Sequence, residues 1–98
     1  MLISQEKAYE MMKGDVEILD VREDWEYKRG HIENAKLLSL SKVNIMIEVI
    51  VPNKDKEILV YCASGGRSSM AVNILRNSGY TKVYNIGGIR SWPYEIVK

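Results

Sequence analysis

The chain has one cysteine, so it can form no internal disulfide. That excludes the stapled frameworks of small secreted domains and makes a reducing compartment the expectation. One histidine and one cysteine also fall short of the ligand set of a structural zinc site. Charge of one sign is lacking too: 14 Lys and Arg stand against 13 Asp and Glu, the formal net charge is +1, and the basic residues are scattered. A dedicated nucleic-acid binder would cluster a strong positive excess, so no nucleic-acid partner is expected. The longest apolar stretch, from Ile45 to Val51, is interrupted by Glu48 and is far too short to span a bilayer. Met1-Leu2-Ile3 gives way at once to Ser4-Gln5-Glu6-Lys7, which is not the pattern of a secretory leader. A cytoplasmic protein without a membrane partner is therefore expected.

Ninety-eight residues, 46% of them hydrophobic, suit one domain with a modest core. Residues 1–98 are read as that domain. Ser4 can cap a first helix striped by Ala8, Met11 and Met12 and stopped at Gly14. Val16 to Val21 reads as a short strand with Asp20 at its carboxyl end. A short helix over Asp24 to Lys28 ends at Gly30. His31 to Ala35 turns into another strand near Lys36 to Leu38. From Ser41 the apolar residues are nearly continuous, and periodicity cannot decide helix from strand. We favour a helix over 41–50, because Pro52-Asn53-Lys54-Asp55 breaks the chain and strands flank it. Ile58 to Tyr61 is a strand, and the helix that follows ends at Gly79. Lys82 to Asn85 is a further strand and Gly87-Gly88 a turn. The end around Trp92-Pro93-Tyr94 reads as a last helical turn with an irregular tail. Strands alternating with helices imply parallel β-α units, so the fold class is α/β. In open sheets of this kind, sites collect beyond the carboxyl ends of the strands.

Cys62 lies at such an end. It opens the segment Cys62-Ala63-Ser64-Gly65-Gly66-Arg67-Ser68, between the run Ile58-Leu59-Val60-Tyr61 and the helical pattern of Met70, Ala71, Ile74 and Leu75. A cysteine acts as a nucleophile only as its thiolate, which is favoured near cations and at a helix N-terminus. The loop offers both aids. Its glycines let backbone amides turn inward, the next helix points its positive end at them, and Arg67 adds a planar donor fork. Such a cradle suits a thiolate, a bound oxyanion or a persulfide. A buried structural cysteine is the plain alternative. Phosphate binding without a covalent step is another, although the GxxxxGK[ST] pattern of a P-loop is absent.

The chain resembles the single-domain rhodanese (thiosulfate sulfurtransferase) family over nearly its whole length. The matching segments are Ile18-Leu19-Asp20-Val21-Arg22-Glu23; Trp25-Glu26-Tyr27 with Gly30-His31-Ile32-Glu33-Asn34-Ala35; Leu59-Val60-Tyr61-Cys62 with Gly65, Arg67 and Ser68; and Gly79-Tyr80 with Val83-Tyr84-Asn85-Ile86-Gly87-Gly88-Ile89. Each alone is a weak signal, whereas their order and spacing together are specific. The resemblance implies a three-layer α/β/α fold around a short, mostly parallel five-stranded sheet. It implies that Cys62 is catalytic, taking sulfur from an anionic donor such as thiosulfate as a persulfide and passing it to cyanide or a thiol. The loop residues Ala63, Ser64, Gly65, Gly66, Arg67 and Ser68 would hold the sulfur, with Arg67 attracting the donor and steadying the departing sulfite. No metal and no organic cofactor is expected. Without a second cysteine the acceptor must be another molecule, which could be a persulfide-accepting protein.

Three rivals stand beside that reading: a persulfide relay or regulatory module for a protein partner, a small phosphatase or arsenate reductase, and an inactive scaffold. Cys62 to Arg67 is six residues inclusive. Related cell-cycle phosphatases carry a loop one residue longer, so the count favours a sulfur-sized group. Among other residues, His31 is read as structural. Asp20 and Arg22 are read as an ion pair or turn near the site. Ser64 and Ser68 either donate to the adduct or cap the helix. Trp25 and Trp92 are read as core or edge packing, and Met11-Met12 as core filler.

Overall fold

The computed structural model describes residues 2–98. Ile58-Leu59-Val60-Tyr61-Cys62 forms β4, and every one of its five residues is buried. Successive side chains of a strand point to opposite faces, so an unbroken apolar run fits a strand covered on both sides. Ile58, Val60 and Cys62 enter one core, with Leu19, Val43, Ile47, Ala71 and Leu75. Leu59 and Tyr61 enter the other, with Ala8, Ile18, Ile86 and Trp92.

The partners of β4 are β1 (Glu17–Asp20) and β5 (Val83–Gly88), and β3 (Lys36–Leu37) lies outside β1. The order β3-β1-β4-β5 is parallel throughout. The sheet therefore has four strands where five were expected. The fifth place, beside β5, is taken by a single parallel bridge from Leu2 to Asn85. Two further strands of two residues each, β2 (His31–Ile32) and β6 (Ile96–Val97), pair antiparallel in a ribbon of their own.

Helices cover both faces. Helix α1 (Gln5–Met11) starts at Ser4, whose hydroxyl accepts from the Lys7 amide at 3.0 Å. Helix α2 (Asp24–Arg29) ends at Gly30. A 3-10 turn over Leu40–Lys42 leads into α3 (Val43–Ile50), so the ambiguous segment is helical. Its apolar run is nearly continuous because Val43 and Ile47 face the core while Ile45 and Val49 face solvent. Helix α4 (Gly66–Asn77) closes with Gly79 donating to Arg76 and Tyr80 to Leu75, the paired bonds of a Schellman end.

Two expectations near the C-terminus are corrected. Gly87-Gly88 is not a turn but the end of β5. Pairing runs from Val60 with Asn85 to Cys62 with Gly88, so β5 carries one extra residue there as a bulge. The tail has its helical turn one step earlier than expected, as a 3-10 turn over Ile89–Ser91, and after the irregular stretch 92–95 it ends in β6, which was not expected. No helix among the described residues is long and apolar enough to cross a membrane.

Candidate active site

Strand β4 delivers Cys62 to the carboxyl edge of the sheet, and Ala63-Ser64-Gly65 turn the chain straight into α4. Gly65 makes the turn with φ +111°, a left-handed backbone that side chains other than glycine's resist. The result aims amides at sulfur. Gly65 N–H donates to Cys62 Sγ at 3.0 Å and Ser68 N–H at 3.4 Å, while the thiol donates to Ser68 Oγ at 3.5 Å. Cys62 is only 1% exposed. Burial pushes its thiol up, but the Ser68 hydroxyl and the amides of Ser68, Gly65 and Ser64 outweigh it, holding the thiol below its ordinary value. Helix α4 adds the positive end of its dipole.

Ser68 is buried and does not cap α4. Its hydroxyl lies 3.0 Å from the Gly65 carbonyl and 2.8 Å from Asn85 Oδ1. Ser64 is exposed, and its hydroxyl makes no hydrogen bond among the described residues. The amides of Ala63, Gly66 and Arg67 make no hydrogen bond to Sγ. Those of Gly66 and Arg67 open α4, where backbone donors have no partner within the helix.

Arg67 turns its fork elsewhere. Its Nη1 and Nη2 donate to Glu26 Oε1 and Oε2 at 2.7 and 2.9 Å, a two-pronged pair between α4 and α2. The same carboxylate accepts the Glu23 amide at 3.0 Å and so closes the capping box of α2. The Arg67 hydrogen bonds hold the Glu26 carboxyl down at about 2.

Strand β5 supports the loop from behind. A Cβ built on Gly88 would lie 2.1 Å from the Ala63 carbonyl oxygen, so the loop rests directly on glycine backbone. The Arg90 amide holds that carbonyl at 3.1 Å. Gln5 Nε2, from α1, donates to the carbonyls of Ile86 and Gly88 at 3.2 and 3.0 Å and ties down the end of β5.

The other singled-out residues lie outside the sulfur cradle. Asp20 and Arg22 form a buried ion pair at 2.7 Å, and Arg22 also donates to the Gly30 carbonyl at 2.7 Å. Its Nε and Nη2 donors serve Asp20 and the Gly30 carbonyl. His31 stacks on Tyr27 with ring centroids 3.7 Å apart, and its Nδ1 meets the Tyr27 carbonyl at 2.9 Å. Trp92 is buried, but Trp25 is not: it is 60% exposed, with the Arg29 guanidinium 5.4 Å from its ring centroid. Expected packing at Trp25 is overturned, because α2 has no buried residue and turns that ring to solvent. Among the described residues, no cluster of three or more potential metal ligands occurs.

A family model for the Rhodanese-like domain matches residues 4–94. The chain belongs to the rhodanese family. It is 38% identical over 80 residues to thiosulfate sulfurtransferase PspE of Escherichia coli, covering 82% of this chain and 77% of that one. It is 38% identical over 92 residues to thiosulfate sulfurtransferase GlpE of Coxiella burnetii, covering 92% and 84%. Among solved structures, a rhodanese-related protein from Thermoplasma volcanium superposes with a TM-score of 0.86 at 34% identity, covering 98% of this chain and 96% of that one. At the family level this rhodanese domain is a sulfurtransferase.

Sequence reasoning about this rhodanese domain missed Glu26, Asn85, Gly88 and Gln5 as parts of the site. Glu26 and the glycine pair stood inside quoted motifs, yet nothing in one sequence showed that they touch the loop. Glu26 lies 41 positions from Arg67.

Proposed function

We propose that this rhodanese domain carries sulfane sulfur as a persulfide on Cys62. It takes the sulfur from thiosulfate or a similar anionic donor and gives it to cyanide or a thiol. The observation that carries the reading is the convergence of the Gly65 and Ser68 amides on Sγ at 3.0 and 3.4 Å, which favours the thiolate that burial alone would disfavour. The thiolate attacks the outer sulfur of thiosulfate. A new S–S bond forms, the old one breaks, and sulfite leaves with its electron pair. The persulfide's outer sulfur then lies beyond Sγ, within the arc of amides from Ala63 to Arg67, where fixed donors stabilise its charge. An acceptor nucleophile attacks that sulfur and restores the Cys62 thiolate. No metal enters these steps. No second cysteine is present to resolve the persulfide, so the acceptor is external.

Arg67 draws the anionic donor by exchanging the Glu26 carboxylate for donor oxygens, which the two-pronged geometry allows. The test is thiocyanate production from thiosulfate and cyanide. The chain produces it, Cys62→Ser does not, and Arg67→Ala raises the KM for thiosulfate by on the order of tenfold, the loss of one charge-assisted contact. An active Cys62→Ser protein would overturn the reading, and unchanged Arg67→Ala kinetics would remove Arg67 from it. Transfer from a persulfidated protein but not from thiosulfate would make the domain a relay instead.

A further inference from the structure

Asn85 stands on β5 opposite Val60 and is 9% exposed. A strand covered on both faces ordinarily takes an apolar residue at such a place, and a buried amide is tolerated only when its hydrogen bonds are made. They are made, and they point at the sulfur site. Oδ1 accepts the Gly87 amide at 2.8 Å and lies 2.8 Å from Ser68 Oγ, while Nδ2 faces the Gly65 carbonyl at 3.4 Å. The Gly87 N–H can only donate, so the amide oxygen must face it and the orientation of Asn85 is fixed.

Ser68 has one hydroxyl hydrogen and several acceptors in reach. While Cys62 is a thiol, its S–H donates to Ser68 Oγ, and the hydroxyl hydrogen points away to Asn85 Oδ1. When the thiol ionises, sulfur becomes an acceptor and the hydroxyl can turn to it. Asn85 Oδ1 then still holds the Gly87 amide and is not left unpaired. Two of the groups that donate to Cys62 Sγ, the Gly65 amide and the Ser68 amide, belong to residues that Asn85 touches.

We propose that Asn85 is a positioning residue for the Cys62 thiolate. Its amino group holds the Gly65 carbonyl and its oxygen holds the Ser68 side chain, so that the Gly65 and Ser68 amides stay aimed at Cys62 Sγ. The inference rests on Cys62 acting as the nucleophile. Its test reads the thiolate by alkylation, so it can fail without thiocyanate formation failing, and the reverse.

The experiment is the pH profile of alkylation of Cys62 by iodoacetamide. Asn85→Ala lowers the rate at pH 7 on the order of tenfold, as an upward move of the thiol midpoint by about one unit requires. In a Ser68→Ala background part of that effect remains, because Asn85 Nδ2 still holds the Gly65 carbonyl. The second measurement uses the unaltered chain. In NMR the Gly87 amide and the Asn85 side-chain amide titrate with the Cys62 midpoint, and in Ser68→Ala that titration is lost. An Asn85→Ala protein that melts earlier but keeps its alkylation profile would make Asn85 merely structural. If that variant does not fold, a Gly87 amide that stays flat through the Cys62 titration overturns the proposal by itself.

Discussion

Glu26 shows how a single side chain can serve the fold and the site together. One oxygen closes the capping box of α2, and both oxygens hold Arg67. Arg67 holds the Glu26 carboxyl down from 4.5 to about 2. A carboxyl depressed on folding stabilises the protein above its unfolded value, and that stability is lost as pH falls through the folded value. In urea melts, wild type therefore loses stability between pH 4.5 and about 2, and Glu26→Gln shows a flatter loss over that window. An equal slope in both proteins would deny the coupling. Cys62 was legible in the sequence because its loop is contiguous: strand, thiol, glycines and helix follow one another. Glu26 was not, because its partner is set by how α2 and α4 meet in space.

At the scale of elements, β5 and α3 make opposite points. Gly88 packs its backbone on the Ala63 carbonyl, at a distance where a Cβ would be 2.1 Å away. Neither backbone can yield cheaply, so Gly88→Ala displaces the sulfur loop. The expected result is a loss of about 1–3 kcal/mol, as in other overpacked sites, together with a large fall in thiosulfate turnover. Unchanged turnover would show that the loop does not rest on β5. Helix α3 was ambiguous because apolar residues fill its outer face as well as its inner one. Ile45 is 75% exposed and Ile47 1% exposed, as neighbours two apart on a helix can be. On a strand the two would share a face. Ile47→Ala should cost about 2–5 kcal/mol and Ile45→Ala under about 0.5 kcal/mol, both read by chemical denaturation. Similar losses at the two positions would contradict the helical placement. The strands β2 and β6, of two residues each, carry no alternation and so left no mark in the sequence.

Across the whole molecule, the alternation of strands and helices was enough to place Cys62 at the carboxyl edge of a parallel sheet. The count of strands was not, because the fifth place is one bridge at Leu2 rather than a strand with a pattern. The same sheet divides the core in two. Cys62 belongs to the α3 and α4 side, with Val60 and Leu75, while Trp92 closes the α1 side. The thiol is therefore set in an apolar wall, where the loop amides and Ser68 offer it polar company. That setting suits a small adduct held by backbone donors. The most direct test of a sulfur carried on Cys62 is the intact mass of the protein after incubation with thiosulfate. The predicted result is a gain of one sulfur atom that vanishes on adding cyanide and never forms on Cys62→Ser. No gain with thiosulfate or with a persulfidated donor, or a gain that survives in Cys62→Ser, would contradict it.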